Sequence, residues 1–307
     1  IVYFGNYAGL AGMIGSLHAL GKRLKHFGYS TVFEKIKPAY EYADLAEAQK
    51  EISAIGEEIK RNGLGDYKEA ITFGFSGYGN VSKGAQSILE LLPFISITPA
   101  ELTAGKASEA GKLYRIVFKE EDMVKTTDGT PFDLDIYYNS PEGYKSCFSD
   151  YLPHLDVLVN AIYWEEQYPR LVEKKWLKTQ DKFRLKIICD ISADVKGSVE
   201  ITEKVTLSDN PGFCYDAKMD TIKDGYEAAG ILVLAVDNLP TELPRDASTT
   251  FAEKLFPLVP DLINTDFDVE YEALDLRDEL KKALICHQGK LTPPYEYLQK
   301  TLDELKK

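Results

Sequence analysis

Along the first quarter of the chain, apolar residues recur at helical steps. Leu10, Met13, Ile14, Leu17, Leu20 and Leu24 fall at intervals of three and four, which places them on one stripe of a helix over residues 7–24. Ala8, Gly9, Ala11, Gly12 and Gly15 on the same segment would let another backbone come close. Residues 41–61 repeat the period with more charge and predict a second amphipathic helix, which "NGLGDYKE" at 62–69 interrupts. The period then changes to two. Ile71, Phe73 and Phe75 alternate with Thr72, Gly74 and Ser76 as in a strand, and the strand runs into "GYGNVS" and a helix carrying Ala85, Ile88, Leu89 and Leu92. Phe94, Ile95 and Ile97 predict the next strand. The polar stretch 103–140 is too long for an ordinary connection, so a small excursion is expected there, with "YRIVF" as a strand and "KTTDGTPFD" as a turn. "PEGYKSCFSDYLPHLDVLVNAIYW" then predicts a helix followed by a strand over 157–162. Further strands are expected at Leu185–Cys189, ending in Asp190 and Asp194, and within "GILVLAV" at 230–236. From about residue 247 the pattern is again helical, with one charged face. Strands alternating with helices predict an α/β fold with a Rossmann-like, doubly wound parallel sheet.

The turn after the first strand carries candidate chemistry. Gly77 permits a tight turn, Gly79 leaves room for a pyrophosphate against the backbone, and the first N–H groups of the following helix would bind phosphate oxygens. Ser82 stands where the dinucleotide fingerprint has a third glycine. A strand–glycine turn–helix is also an ordinary structural turn, so this segment alone leaves both readings open. The tip of the next strand is Thr98 rather than a carboxylate, which tilts the expected coenzyme toward NADP, with NAD still possible. Glu101 is one turn further on and the first cation is Lys106.

Composition narrows the partners. The 307 residues contain 36 Lys plus Arg against 49 Asp plus Glu, a net charge of −13, which disfavours a broad nucleic-acid or anionic-membrane surface. Any anionic ligand must be held locally. The apolar runs are short of the roughly 20 residues that span a bilayer, and the cytoplasm or the mitochondrial matrix is the expected compartment. Cys147, Cys189, Cys214 and Cys286 lie far apart and suggest neither a zinc site nor a disulfide framework. No metal is expected. His18 and His26 read as helix-surface residues, His154 as a helix end and His287 as part of a return segment.

Several longer stretches together resemble a known family. "GNYAGLAGMIGSLHALGKRL", "GYGNVSKGAQ", "LVNAIYWEEQYPRLV", "CDISADVKGSVE", "GILVLAVDNLPTELPRDAS" and "GKLTPPYEYL" look like the lysine-ketoglutarate reductase portion of alpha-aminoadipic semialdehyde synthases. They are more distantly similar to alanine dehydrogenases and the lysine-forming saccharopine dehydrogenases, and the likeness covers nearly the whole chain in order. It implies linking helices and part of a substrate domain at 1–62, a Rossmann NAD(P)-binding domain at 63–246 with the insertion 103–140, and a return to the substrate domain at 247–307. It also implies an NADPH-dependent joining of lysine and 2-oxoglutarate into saccharopine.

By the same resemblance, Gly77, Tyr78, Gly79, Asn80 and Val81 match the phosphate turn, and Ala161, Ile162 and Tyr163 match the strand end along the coenzyme. Ala193 and Asp194 match a loop near the nicotinamide ribose, and Asn238 and Leu239 the loop beside the nicotinamide. The proton-shuttling Lys and His of the family belong to a segment ahead of the part represented here, so this chain is expected to be the coenzyme-binding portion, with Asp194, Arg170 and Arg245 as supporting candidates. Each of these has a structural rival: a turn carboxylate for Asp194, an ordinary loop for Asn238–Leu239, ion pairs for the arginines. A homo-oligomer is expected, completed by an N-terminal half and a saccharopine-oxidising domain. The alternatives are an alanine dehydrogenase-like enzyme and a nucleotide-binding sensor without catalysis, which coenzyme oxidation on lysine plus 2-oxoglutarate separates.

Overall fold

The computed structural model of the chain describes residues 3–305. Two compact units are present, one spanning Phe4–Asp246 and a smaller one that begins at Ala247. The first opens with helices α1 (Gly5–His26) and α2 (Leu45–Asn62). The predicted stripe of α1 is buried, as are Ala11, Gly12, Ser16, Ala19 and Arg23 on its flanks. Asp44 caps α2, its carboxylate accepting from the Glu47 N–H at 2.8 Å.

Then follow β1 (Ile71–Ser76), α3 (Asn80–Leu89), β2 (Phe94–Ser96), α4 (Pro99–Thr103), β3 (Leu113–Phe118) and α5 (Glu120–Met123). A small hairpin of β4 (Val124–Thr126) and β5 (Tyr144–Ser146) brackets α6 (Leu134–Asn139). The rest of the unit contains β6 (Val157–Asn160), α7 (Lys174–Leu177), β7 (Ile187–Asp190), β8 (Gly212–Asp216), β9 (Thr221–Asp224), β10 (Ile231–Leu234) and the start of α8 (Pro244–Leu255).

Eight strands form one sheet in the order β2-β3-β1-β6-β7-β10-β8-β9. Neighbours from β2 to β10 are parallel, and β8 and β9 add an antiparallel edge. Side chains alternate between two cores, as a sheet buried on both faces requires. Phe73, Phe75, Val157, Val159 and Ile187 join one core with α1, α2 and α3. Tyr114, Ile116, Leu158, Ile188 and Val233 join the other. That second face is covered by short helices, the hairpin and loops rather than by long helices.

Two expectations are corrected. "YRIVF" belongs to no excursion: it is β3, in the main sheet between β2 and β1. Leu113, Tyr114, Ile116 and Phe118 are buried and Arg115 and Val117 half-buried, whereas three-residue β2 has exposed Ile95 and Ser96 and serves as the edge. Residues 141–156 form no α-helix. Pro141, Gly143 and Pro153 break the helical period, and the stretch folds as three-ten turns around β5.

The small residues of α1 meet a backbone, as expected, and that backbone belongs to α3. A Cβ on Gly9 would lie 1.9 Å from the Val81 carbonyl oxygen, and one on Gly84 would lie 2.1 Å from that of Asn6. Only glycine allows the two helices to cross so closely. At the other end of α1, Arg23 is 1% exposed. Its guanidinium donates to the Tyr226, Ala228 and Gly230 carbonyls, each at 2.7 Å, which fastens the β9–β10 connection.

The smaller unit holds α9 (Val259–Asn264), α10 (Asp278–Ala283), a hairpin of β11 (Cys286–His287) and β12 (Lys290–Leu291), and α11 (Gln299–Leu305). His287 is buried in that hairpin, its Nε2 lying 2.8 Å from the Val269 carbonyl. Among the described residues no helix is long and apolar enough to cross a membrane.

Replacing Arg23 by Met leaves three half-buried carbonyls without this donor. The expected loss is about 3 kcal/mol of unfolding free energy, read as a lower denaturant midpoint with an unchanged slope.

Candidate functional site

Parallel sheets bind ligands at the carboxyl ends of their strands, and here those ends are tied together by buried polar side chains. Ser76, Asn160 and Asp190 close β1, β6 and β7 and are each no more than 1% exposed. The Ser76 hydroxyl donates to Asn160 Oδ1 at 2.7 Å and accepts from the Ala161 N–H. Asn160 Nδ2 donates to Asp190 Oδ1 and to Ser198 Oγ, both at 2.8 Å. Asp190 also accepts from the Ser192 and Thr202 hydroxyls. Burial pushes its carboxyl above the ordinary range against these hydrogen bonds.

From Ser76 the chain turns at Gly77, whose φ is +83°. Its N–H donates to the Phe118 carbonyl at 2.9 Å, fixing the turn to the end of β3. A Cβ there would be strained and would press on Ile162 Cγ2 at 3.0 Å. Gly79 is the N-cap of α3 in extended backbone, and a Cβ there would meet nothing within 4 Å. The helix has no side-chain cap bond and no acidic residue in its first turn. The positive end of its dipole therefore meets no carboxylate of its own first turn, which favours an anion there.

Beside this turn lies a cleft of about 290 Å³. Gly77, Tyr78 and Gly79 form its floor, and Ala161, Ile162 and Tyr163 one wall. Glu120, Met123, Tyr137, Tyr138 and Tyr168 form the rest. Glu120 accepts a 2.7 Å hydrogen bond from the Tyr138 hydroxyl. Its charge is also the first cause of the raised pKa of the Tyr78 phenol. None of these five was anticipated from the sequence. The signal was present in "KEEDM" directly after "YRIVF", once that strand is recognised as the neighbour of β1.

The other anticipated residues are placed differently. Asn80 and Val81 open α3 and are not among the residues lining the cleft. Thr98 is not brought to it. It caps α4, its Oγ1 accepting from the Glu101 N–H, and lines a separate groove with Arg115 and Lys119. Ala193 is buried with φ +54°, and exposed Asp194 follows it in the loop after β7. Arg170 grips that loop, donating to the Lys196 and Gly197 carbonyls at 3.0 Å and stacking 5.2 Å over Trp164. It positions the loop through backbone rather than through an ion pair. Arg245 is exposed at the start of α8.

Asn238 precedes a three-ten turn, and Leu239 lines a small cavity of about 30 Å³ with His18 and Glu242, apart from the cleft. His18 is not a surface residue. It is half-buried against the Ile36 carbonyl at 2.7 Å, and burial lowers its pKa. Among the described residues no cluster could hold a metal ion, and the cysteines are free thiols.

A family model described as alanine dehydrogenase/PNT, C-terminal domain, matches residues 137–294. The chain is 36% identical over 314 residues to the alpha-aminoadipic semialdehyde synthase of Arabidopsis thaliana, covering 97% of this chain and 29% of that protein. It is 34% identical over 319 residues to the mitochondrial alpha-aminoadipic semialdehyde synthase of Mus musculus, covering 98% and 34%. Over 113 residues it is 31% identical to a saccharopine dehydrogenase (NAD(+), L-lysine-forming) of Emericella nidulans, covering 36% of this chain and 28% of that one. The chain thus spans about a third of the length of the first two relatives.

Gly77 and Gly79 are expected to separate on substitution. Gly77→Ala should cost about 1–2 kcal/mol of stability through its positive φ. Gly79→Ala should leave the melting temperature unchanged but weaken dinucleotide binding about tenfold by filling the floor of the cleft, as read by fluorescence titration. Asp190 supplies a pH dependence. Its raised folded-state value means the neutral acid contributes stability that is complete below the unfolded value of about 3.9 and is lost as pH rises through the folded one. Asp190→Asn lacks this loss, so unfolding of both chains across that range should show the variant gaining on the native chain as pH rises.

Proposed function

The chain belongs to the alanine dehydrogenase/PNT C-terminal domain family, and from this premise we propose that it is the coenzyme-binding part of a reductase that joins L-lysine to 2-oxoglutarate to form saccharopine. One observation carries the reading: an open cleft stands over a positive-φ glycine turn and an uncapped helix N-terminus at the carboxyl edge of a parallel sheet. The likeness to two alpha-aminoadipic semialdehyde synthases over nearly the whole chain supports the choice of substrates. The mouse relative's name favours the mitochondrial matrix over the cytoplasm.

In this reading the bound nicotinamide dinucleotide supplies hydride to the carbon–nitrogen double bond formed between the lysine ε-amine and the keto carbon. The chain's own residues bind and orient. Gly77, Tyr78, Gly79 and the leading amides of α3 hold the diphosphate, so a chain of net charge −13 binds an anion through backbone dipoles. Ala161, Ile162 and Tyr163 supply the wall along the coenzyme. Asp194, on the loop that Arg170 fixes, approaches the nicotinamide ribose from the end of β7. The free ε-amine has a pKa of about 10.4 and must lose its proton before attack. The base for that step is assigned to the remainder of the longer protein, as is the capture of the substrate carboxylates apart from a share by Arg245.

The sequence-based preference for NADP rested on Thr98 at the tip of the strand next to β1. Thr98 instead follows the edge strand β2 and does not line the cleft, so it carries no preference between NADP and NAD.

The proposal is tested with the chain alone and with the longer protein containing it. The chain alone is expected to bind the reduced coenzyme in a fluorescence titration and to turn over slowly or not at all. The longer protein is expected to oxidise the coenzyme only when lysine and 2-oxoglutarate are both supplied, with saccharopine as product. Oxidation with pyruvate and ammonia in their place would assign an alanine dehydrogenase instead.

A further inference from the structure

Given a coenzyme in the cleft with Asp194 at its nicotinamide ribose, we propose that Gly197 is a positioning residue for the reaction: with the Trp164–Arg170 pair behind it, it forms the seat that sets the direction of the Asp194 side chain. The inference rests on the coenzyme reading above and adds the residues through which that carboxylate is aimed. Asp194 does not hold itself. It is exposed in the loop after β7, and among the described residues no hydrogen bond reaches its carboxylate. Its direction is therefore set by where the backbone places its Cβ.

That backbone is bent twice against the preference of its residues. Ala193 and Lys196 have φ of +54° and +55°, and residues with a Cβ stay in this region only where the surroundings hold them. On the inner side, the Asp190 carbonyl accepts from the Ala193 N–H at 3.1 Å and its carboxylate from the Ser192 hydroxyl at 2.8 Å. On the outer side, the Gly197 N–H closes the turn onto the Asp194 carbonyl at 2.9 Å, and the Lys196 N–H bonds the Thr202 carbonyl at 2.8 Å. The turn is so tight that a Cβ on Gly197 would lie 2.6 Å from Asp194 Cβ and 3.4 Å from Trp164 Cε3. No rotamer relieves the first contact, because it falls on the root of the side chain. Any residue larger than glycine here pushes Asp194 off its position.

Behind Gly197 stands the segment that supplies Tyr163 and Tyr168 to the cleft. Trp164 Nε1 donates to the Tyr168 and Pro169 carbonyls at 3.0 and 3.3 Å, which fixes the ring. The Arg170 guanidinium stacks over that ring and takes the Gly197 and Lys196 carbonyls through two different nitrogens, each at 3.0 Å. A planar fork suits two successive carbonyls, whereas a lysine ammonium is a point charge on a flexible stem. Beyond the clamp, the Leu171 and Val172 N–H groups both bond the Ser198 carbonyl, at 2.8 and 3.1 Å. The seat of Asp194 is thereby joined to the wall of the cleft and keeps its place relative to whatever lies along that wall.

The test uses the longer protein containing the chain, with kcat and KM for the reduced coenzyme at saturating lysine and 2-oxoglutarate, and thermal melting as the check on folding. Asp194→Asn and Gly197→Ala are each expected to lower kcat about tenfold, the cost of a misplaced group. The double variant should lose no more than Asp194→Asn alone, since Gly197 acts through that side chain. Arg170→Met should lower kcat in the same way, and Arg170→Lys should recover part of the loss. Native kcat in Gly197→Ala or in Asp194→Asn overturns the proposal, as do losses that multiply in the double variant; each of these leaves the coenzyme site standing. Should Gly197→Ala lower the melting temperature, the cycle of Arg170→Met with Asp194→Asn decides by the same criterion. Failure of the native protein to bind the reduced coenzyme overturns the coenzyme reading and this proposal together.

Discussion

The site depends on the side-chain chain Ser76–Asn160–Asp190, which crosses three adjacent parallel strands at their carboxyl ends. Hydrogen-bond ladders fix strands laterally but leave the segments beyond the last ladder bond free to splay. The three residues replace that freedom with buried, mutually satisfied polar contacts, whose worth rises in a low-dielectric interior. Two of the segments lining the cleft leave these positions directly: Gly77 follows Ser76 and Ala161 follows Asn160. Because Ser76 also accepts from the Ala161 N–H, the turn and the wall are set in one operation. Burying a carboxyl without a cation is costly, and here three donors offset part of that cost.

Helix α3 is held by a second constraint. Gly9 and Gly84 let α1 and α3 approach until backbone touches backbone. Contact at that distance resists sliding as well as separation, since any shift drives a carbonyl into a Cα. The leading end of α3 can then remain without a side-chain cap, its amides held in place by packing rather than by local hydrogen bonds. A capped helix would present satisfied donors and no anion site.

How much of this was legible in the sequence follows from the range of each interaction. The helix stripe of α1, the alternation of β1 and the glycine turn are local, with periods of a few residues, and were read correctly. The six turn and wall residues Gly77, Tyr78, Gly79, Ala161, Ile162 and Tyr163 share one cleft because each directly follows a strand. Strand order is not local. Nothing in "PFISI" or "YRIVF" taken singly says which lies next to β1, and chain order favoured the former. Length and two-sided burial decide for the latter, because a strand in the sheet interior must fill both cores while an edge need not. That single inversion moved attention to Thr98 and away from Glu120. Arg170 misled for a related reason: a guanidinium suits carboxylates, but backbone carbonyls can use it equally well, two for Arg170 and three for Arg23.

The electrostatics of the cleft follow from where its charges can come from. With thirteen more acidic than basic groups on the whole chain, long-range attraction cannot recruit an anionic coenzyme, and screening confines side-chain fields to about 8–10 Å in any case. In the proposed reading, binding comes from groups that carry partial charge without net charge, namely the amides of the turn and of α3. Such donors suit a diphosphate lying flat on the backbone.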